Sequence, residues 1–567
     1  MNAEFDGRFE ERPAHSGRIE YGDAGGPVEV AVKYNGSLAD IARRTGSDAE
    51  DLGGGYAVVT VERGGADALF SDPQIEDVDP PKELYINDYA AQRASCIPPA
   101  REIYATSGAG VAVGIIDTGV DYAHPEFIGA DGGSRIDFMW DQQAGGPPPG
   151  GFGFGREYTA ADFDAALASP DPYSVIPPTD FSGHGTAVCG IAAGNSGCAP
   201  GAALIAVRVR RAGVRMGSPA VDIMRGFKYV TDRARLLGLP LCCNISFGMN
   251  DGSHMGDSLL ETYITDISST LRCSVTVPTG NEGSSGRRFS SRIAPGERKE
   301  IVFFTGAGLS RFYISLWKDF ADVFSVGVSA PDGSASGQVG GGIRTASIGG
   351  ADVTIIYGSP TRYSVRQEVY IELRNAAGLI PAGAWTITLE AAGAPNGSFD
   401  VWLPTSGEAG PGTFFADSDP LGSMTIPSTA EKVISVAGYD PVIGSSAPFS
   451  GLGFGEVGLP CPDLAAPAVD ITAPRAGGGF DSFTGTSFAA PFVCGAAALA
   501  MEWGITRGNS PFLYGERLRA FLRAGAARTR PVGWPEPRLG YGTLCLADAM
   551  RLIDGGRQGA ALSRFDT

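Results

Sequence analysis

The segment GGFDSFTGTSFAAPFVCGAAALAM, residues 478–501, joins a glycine-rich loop to a long run of small apolar residues. A run of this kind is normally buried, so the hydroxyls of Thr486 and Ser487 at its start need partners. Pro491 is best tolerated in the first turn of a helix, which predicts that a helix begins close to Ser487. Ser487 is then either a plain N-cap or a hydroxyl held at the positive end of the helix dipole, where free backbone N–H groups could stabilise an oxyanion.

Two further motifs place polar side chains where apolar segments begin or end. VAVGIIDTGVDYAHPEF, residues 111–127, has Asp117 at the end of a buried strand, where a carboxylate is costly unless it has a use. DFSGHGTAVCGIAAG, residues 180–194, has His184, one of four histidines, between two glycines at the start of a helix of small residues. Taken alone, Asp117 could be a turn cap and His184 a histidine that is satisfied within a turn.

In chain order the three residues are Asp, His and Ser, which is the order found in subtilisin. The sequence around them resembles the subtilisin-like serine proteases, which are the subtilases, or S8 family. The matching blocks, signature blocks first and supporting blocks after them, are IIDTGVDYAHPEF, SGHGTAVCGIAAG, GTSFAAPFVCGAAAL, GCAPGAALIAVRV, NISFG, PTGNEG and DLAAPAVDI.

The resemblance implies a role for each matching residue. Ser487 is the expected nucleophile, His184 the general base and then acid, and Asp117 the group that orients the imidazole. The Asn281 side chain and the Ser487 backbone N–H are expected to form the oxyanion hole. The segment of Ser246, Phe247 and Gly248 is expected to pair with an extended peptide substrate.

The pattern of the chain predicts an α/β fold with three parts. A subtilisin-like parallel-sheet catalytic domain is expected at 91–283 and 421–567, because apolar strands alternate there with helices. An α+β prodomain is expected at 27–90, after a flexible tail at 1–26. Between 284 and 420, short period-2 runs separated by turns predict an inserted β-sandwich, described as a jelly roll by its resemblance to the Csp germination-protease type of subtilase.

The resemblance also implies autoprocessing. Prodomains of this family leave their C-terminal end in the active-site cleft, so self-cleavage is expected within KELYINDYAAQRASCI, residues 82–97. A protein or peptide is the expected substrate. Two alternatives stay open: a catalytically silent scaffold or signalling pseudoprotease, and an esterase or amidase that uses the same triad.

Composition limits the other partners. The formal net charge of −19 argues against nucleic acid or an anionic membrane as the main partner. The N-terminus has no basic start or apolar core typical of a signal peptide, so cytoplasmic synthesis is expected, with spore association or release by a non-standard route left open. The nine cysteines are expected to be reduced. No cofactor is implied, no metal is expected, and the short segment after His184 lacks the loop of the high-affinity calcium site.

Overall fold

The computed structural model describes residues 28–61, 68–69, 71–79, 90–210, 219–456, 458–529 and 532–562. The chain divides into two compact units, Met1–Asn87 and Asp88–Thr567. The expected tail at 1–26 and residues 82–89 of the expected cleavage segment lie outside the described residues.

The first unit is a four-stranded antiparallel sheet. One helix of this unit is described over its whole length. The elements of the unit are β1 (Val28–Tyr34), α1 (Leu38–Thr45), β2 (Asp48–Gly53), β3 (Tyr56–Val61) and β4 (Ile75–Asp79), in the sheet order β2-β3-β1-β4. Helix α1 begins where the Ser37 hydroxyl accepts the Asp40 N–H. Strand β2, DAEDLG, was not expected, because it is acidic and largely exposed and lacks apolar alternation.

The second unit begins with strands and helices in alternation. These are α2 (Ala90–Ala94), α3 (Ile97–Tyr104), β5 (Ala112–Asp117), β6 (Ile136–Asp141), β7 (Arg156–Thr159), α4 (Ala160–Leu167), α5 (His184–Ala193), β8 (Ala203–Arg208), α6 (Ala220–Leu237), β9 (Leu241–Ile245), α7 (Leu259–Ser269) and β10 (Cys273–Pro278).

After β10 the chain forms an insertion made almost entirely of strands, and then returns. The insertion contains β11 (Arg288–Arg292), β12 (Arg298–Thr305), β13 (Arg311–Asp319), β14 (Val323–Ser329), β15 (Ile343–Ile348), β16 (Ala351–Tyr357), β17 (Arg366–Arg374), β18 (Gly383–Gly393), β19 (Ser398–Trp402), α8 (Ser406–Ala409) and β20 (Phe414–Phe415). The rest comprises β21 (Val433–Tyr439), β22 (Leu464–Pro467), β23 (Ile471–Pro474), β24 (Phe480–Phe483), α9 (Thr486–Met501), α10 (Gly515–Ala524) and α11 (Leu546–Leu562).

One eight-stranded sheet organises this unit, in the order β22-β21-β10-β9-β5-β8-β6-β7. Every neighbouring pair is parallel except β6 with β7. The carboxyl ends of the parallel strands therefore share one edge, where binding and catalytic groups of such sheets collect. Asp117 is the last residue of β5 and lies at that edge.

Helix α9 is the core helix of the unit, and all its residues except Ser487 are buried. With the turn that follows it, Thr486–Thr506, it is long and apolar enough to cross a membrane. Because 94% of that apolar window is buried inside the protein, the packed core accounts for its composition.

The insertion forms two antiparallel sheets that share one apolar core. The sheet β11-β19-β13-β17-β16-β15 faces the sheet β14-β18-β12-β20, and buried side chains of both contribute to that core, among them Ile314, Val369, Trp385 and Ile387. This is the expected β-sandwich within the α/β domain. Its description as a jelly roll stays a prediction.

The expectation that all nine cysteines are reduced is wrong for two of them. Cys96, between α2 and α3, is disulfide-bonded to Cys545, directly before α11. The two residues are 449 positions apart, and such pairing leaves no signal in local sequence. The other seven are free, and all but Cys461 are buried.

Candidate active site

Asp117 and His184 form the centre of the site. The imidazole Nδ1 lies 2.7 Å from Asp117 Oδ1, which also accepts the Thr118 N–H. The Asp117 side chain is fully buried, whereas 28% of the His184 side chain is exposed. Asp117 Oδ2 is buried and has no hydrogen-bond partner among the described residues. The Asp117 carboxylate therefore orients the imidazole of His184, and the imidazole stays partly exposed.

The close approach of helix α5 to β5 requires a glycine. A Cβ on Gly185 would lie 2.1 Å from the Gly119 carbonyl oxygen and 3.1 Å from Asp117 Oδ1. The residue after His184 must therefore lack a side chain if the imidazole is to reach the carboxylate.

Asp180 holds the start of helix α5 and was not selected from the sequence. This buried carboxylate accepts the N–H groups of Ser182, Gly183 and Thr186, and the hydroxyls of Thr118 and Thr186. A carboxylate at a helix N-terminus is also favoured by the helix dipole. Asp180 therefore positions the turn that carries His184.

The surroundings of His184 act on its pKa in opposite directions. Burial lowers the pKa of His184. The charge and hydrogen bond of Asp117, together with a smaller effect from the charge of Asp180, raise the pKa by more than burial lowers it. The net result is a pKa above the ordinary value, because the imidazolium is stabilised by an adjacent carboxylate.

Ser487 is the second residue of helix α9, where backbone N–H groups lack intrahelical acceptors. Pro491 lies further into the helix than the sequence had suggested, in its second turn, and cannot donate to the Ser487 carbonyl. That carbonyl accepts the Ser246 hydroxyl instead, at 3.2 Å. The proline thus frees an acceptor that joins the serine helix to the segment after β9.

Asn281 follows β10 and faces the same helix start. Its Oδ1 accepts both the backbone N–H and the hydroxyl of Thr486, each at 3.0 Å. Its Nδ2 lies 3.4 Å from the position that a Cβ on Gly485 would occupy. The amide is therefore fixed with its N–H donors beside the residues that precede Ser487.

The segment Ser246–Gly248 lies beyond the end of β9. Ser246 Oγ accepts the Asn244 amide, and no backbone hydrogen bond to another segment is found for Phe247 or Gly248 among the described residues. Gly248 is exposed. The backbone here has the unpaired groups that an added strand would use.

The structure therefore groups all the site residues selected from the sequence at one edge of the sheet. One link is not made: within the described chain no hydrogen bond joins the Ser487 hydroxyl to His184, and the two elements meet through the Phe488 ring, 5.2 Å from the imidazole. Such bonds are often long without substrate and tighten in its presence. No group of three or more His, Cys, Asp or Glu side chains among the described residues could hold a metal ion.

Comparison with known proteins gives matches over most of the chain. The profile described as the subtilase family, Peptidase S8, matches residues 108–328 and 320–542, and the profile described as the Csp protease B prodomain matches residues 10–82. The solved structure of the Clostridium perfringens CspB protease is 33% identical and covers 83% of this chain and 98% of its own, with a TM-score of 0.77.

Two curated sequences match over shorter stretches. Subtilisin-like protease SBT2.4 of Arabidopsis thaliana is 29% identical over 168 residues, 27% of this chain and 19% of the relative. Subtilisin-like serine protease Pen c 1 of Penicillium citrinum is 40% identical over 90 residues, 16% of this chain and 21% of the relative. The match thus spans about a fifth of the length of each.

Proposed function

Because the chain belongs to the subtilase family, and within it to the Csp type, we propose that it is a serine endopeptidase acting through Asp117, His184 and Ser487. The observation that carries the proposal is the 2.7 Å hydrogen bond between His184 and the buried Asp117, beside the first turn of the buried helix that carries Ser487.

In the first half of the reaction, His184 Nε2 removes the proton from Ser487 Oγ as that oxygen attacks the scissile carbonyl carbon. The carbonyl oxygen becomes an anion, which the Asn281 Nδ2–H and the Ser487 N–H stabilise. Collapse of the tetrahedral intermediate breaks the C–N bond, and the imidazolium gives its proton to the departing amine. Asp117 stabilises the imidazolium without taking its proton.

In the second half, water replaces the amine. His184 takes a proton from the water molecule as the water oxygen attacks the ester carbonyl. The Asn281 amide again stabilises the oxyanion. Collapse breaks the bond to Ser487 Oγ, which recovers its proton from the imidazolium. The products are a carboxylic acid and the regenerated enzyme, and no cofactor is needed.

The partners of this site are the prodomain and a protein substrate. We propose that the prodomain occupies the cleft, that the enzyme cleaves the junction at 82–97, and that the mature enzyme activates a protein by limited proteolysis. Residues 90–97 are already folded into the second unit. The Gln92 side chain donates to the Ser196 carbonyl, and the Ser95 carbonyl accepts the Leu546 N–H. Cleavage is therefore expected on the N-terminal side of Gln92.

The test compares the full chain with Ser487→Ala and with Ser482→Ala, which removes an exposed hydroxyl from the same segment. We expect wild type and Ser482→Ala to split within 82–97 and to carry a fluorophosphonate adduct on Ser487, while Ser487→Ala stays intact and unlabelled. If all three chains remain full length and unlabelled, the silent scaffold replaces this proposal.

A further inference from the structure

The side chain of Thr425 closes the space between the two segments that flank Ser487. One segment is Ser246–Gly248 and the other is Thr279–Asn281, and each presents a glycine. A Cβ on Gly248 would lie 2.4 Å from Thr425 Oγ1, and a Cβ on Gly280 would lie 2.5 Å from Thr425 Cγ2. One threonine side chain therefore contacts the backbones of both segments and closes the space between them.

Thr425 is held in place by backbone hydrogen bonds to both sides. Its N–H donates to the Thr279 carbonyl at 2.9 Å, and it is only 2% exposed. The next residue, Ile426, exchanges two backbone hydrogen bonds with Met249, at 2.9 and 3.0 Å. Moving Thr425 aside would break bonds on both walls, so the closure is a fixed feature of the fold.

The proposed reaction places one substrate side chain in this gap. The carbonyl that is attacked must lie between Asn281 and Ser487, and the residue that carries it must run along Ser246–Gly248. Its side chain then points between the two segments, toward Thr425. The two glycines make room for the Thr425 side chain, and that side chain limits the length of the substrate side chain.

We propose that Thr425 determines specificity: it forms the floor of the pocket for the residue that precedes the scissile bond and restricts that residue to glycine, alanine or serine. The inference rests on the proposed function. It adds the substrate class, namely peptides cleaved after a small side chain.

The restriction to a small side chain before the scissile bond also reduces the number of possible self-cleavage sites. Within residues 82–97 the only residues of that size class are Ala90, Ala91, Ala94 and Ser95. Ala94 and Ser95 lie at the end of α2 and in its final turn, and the Ala91 carbonyl already accepts the Ser95 N–H, whereas Ala90 is the first residue of the helix. Cleavage is therefore expected after Ala90, where only the first turn of α2 has to open, so that the mature chain begins at Ala91.

The test measures kcat/KM for two peptides that differ only in alanine or phenylalanine before the scissile bond. The enzymes are the processed wild type, Thr425→Gly and Thr425→Val, which keeps the shape of threonine and removes its hydroxyl. Active sites are counted by fluorophosphonate labelling. We expect wild type and Thr425→Val to prefer alanine by more than about tenfold, and Thr425→Gly to lose that preference by about tenfold or more.

The outcomes separate the two proposals. Failure of wild type to react with the fluorophosphonate would contradict the serine-protease assignment itself. A labelled wild type that cleaves after phenylalanine as fast as after alanine would overturn the role of Thr425. If Thr425→Gly does not fold, inhibition of wild type by peptide boronates ending in boroalanine or borophenylalanine decides the question, because equal potency would also overturn it.

Discussion

Thr486 donates both its backbone N–H and its hydroxyl to Asn281 Oδ1, at 3.0 Å each. The acceptor end of the amide is thereby occupied, and the Nδ2 donors remain for the proposed oxyanion. A threonine directly before the proposed nucleophile thus orients the proposed oxyanion donor.

Replacing Asn281 by alanine is expected to lower kcat by about 100- to 1000-fold with little change in KM, because the lost donor acts on charge that develops in the transition state. Steady-state kinetics on one peptide checks this. A rise in KM with unchanged kcat would instead mark Asn281 as a group that only binds substrate.

Thr486 is a positioning residue, and its variants should behave accordingly. Thr486→Val removes one of the two hydrogen bonds and is expected to lower kcat by less than Asn281→Ala does. Thr486→Ser retains the hydroxyl and should restore most of the activity. In the Asn281→Ala background, Thr486→Val should have almost no further effect on kcat, because the group that it positions is gone. Additive losses would show that Thr486 acts by another route.

The raised pKa of His184 predicts the acid side of the pH profile. The imidazole must be neutral to accept the serine proton, so kcat/KM should fall tenfold per unit below a pKa that lies above 6.5. Asp180→Asn removes one of the charges that raise this pKa and should move the midpoint to lower pH.

Asp417→Asn, which neutralises an exposed carboxylate of the insertion, serves as the control for Asp180→Asn. Loss of activity in Asp180→Asn without a shift of the midpoint would indicate that Asp180 acts on helix position alone.

Sequence motifs were sufficient to select the proposed reacting groups, because Asp117, His184, Ser487 and Asn281 each lie near the end of an apolar strand or the start of an apolar helix. The motifs were not sufficient to locate the residues that position these four side chains. Asp180 and Thr486 act through hydrogen bonds that depend on the turn geometry of the folded chain. Thr425 and the Cys96–Cys545 pair are far in sequence from what they contact, and β2 has no apolar alternation, so no local pattern could reveal them.

Glu368 predicts a pH-dependent stability for the insertion. Burial raises the pKa of this carboxyl group to about 7, although the Ser315 hydroxyl, which donates to it at 2.5 Å, acts in the opposite direction. An ordinary glutamate in the unfolded chain titrates near pH 4.3. Between those values the folded protein binds a proton that the unfolded chain has lost, so the free energy of unfolding falls as pH rises through this window.

Glu368→Gln should therefore raise the melting temperature at pH 8 and leave it nearly unchanged at pH 4. Glu300→Gln, with 59% of the glutamate side chain exposed, should have no such effect. Thermal unfolding at the two pH values checks this, and an equal change at both would show that the Glu368 charge is not the cause.

The Cys96–Cys545 disulfide predicts how reductant affects both stability and processing. It joins the segment between α2 and α3 to the start of α11, beside the hydrogen bond from Leu546 to Ser95. Disulfides typically stabilise proteins by about 2–4 kcal/mol, so dithiothreitol should lower the melting temperature of wild type but not that of the Cys96→Ser/Cys545→Ser variant. Peptides with alkylated Cys96 or Cys545 should be absent from wild-type maps when alkylation is done without reductant, because the two sulfurs are bonded to each other.

Because cleavage is expected before Cys96, the prodomain should migrate separately from the mature chain on a denaturing gel even without reductant. Separation that requires reductant would place the cut after Cys96 and contradict cleavage after Ala90.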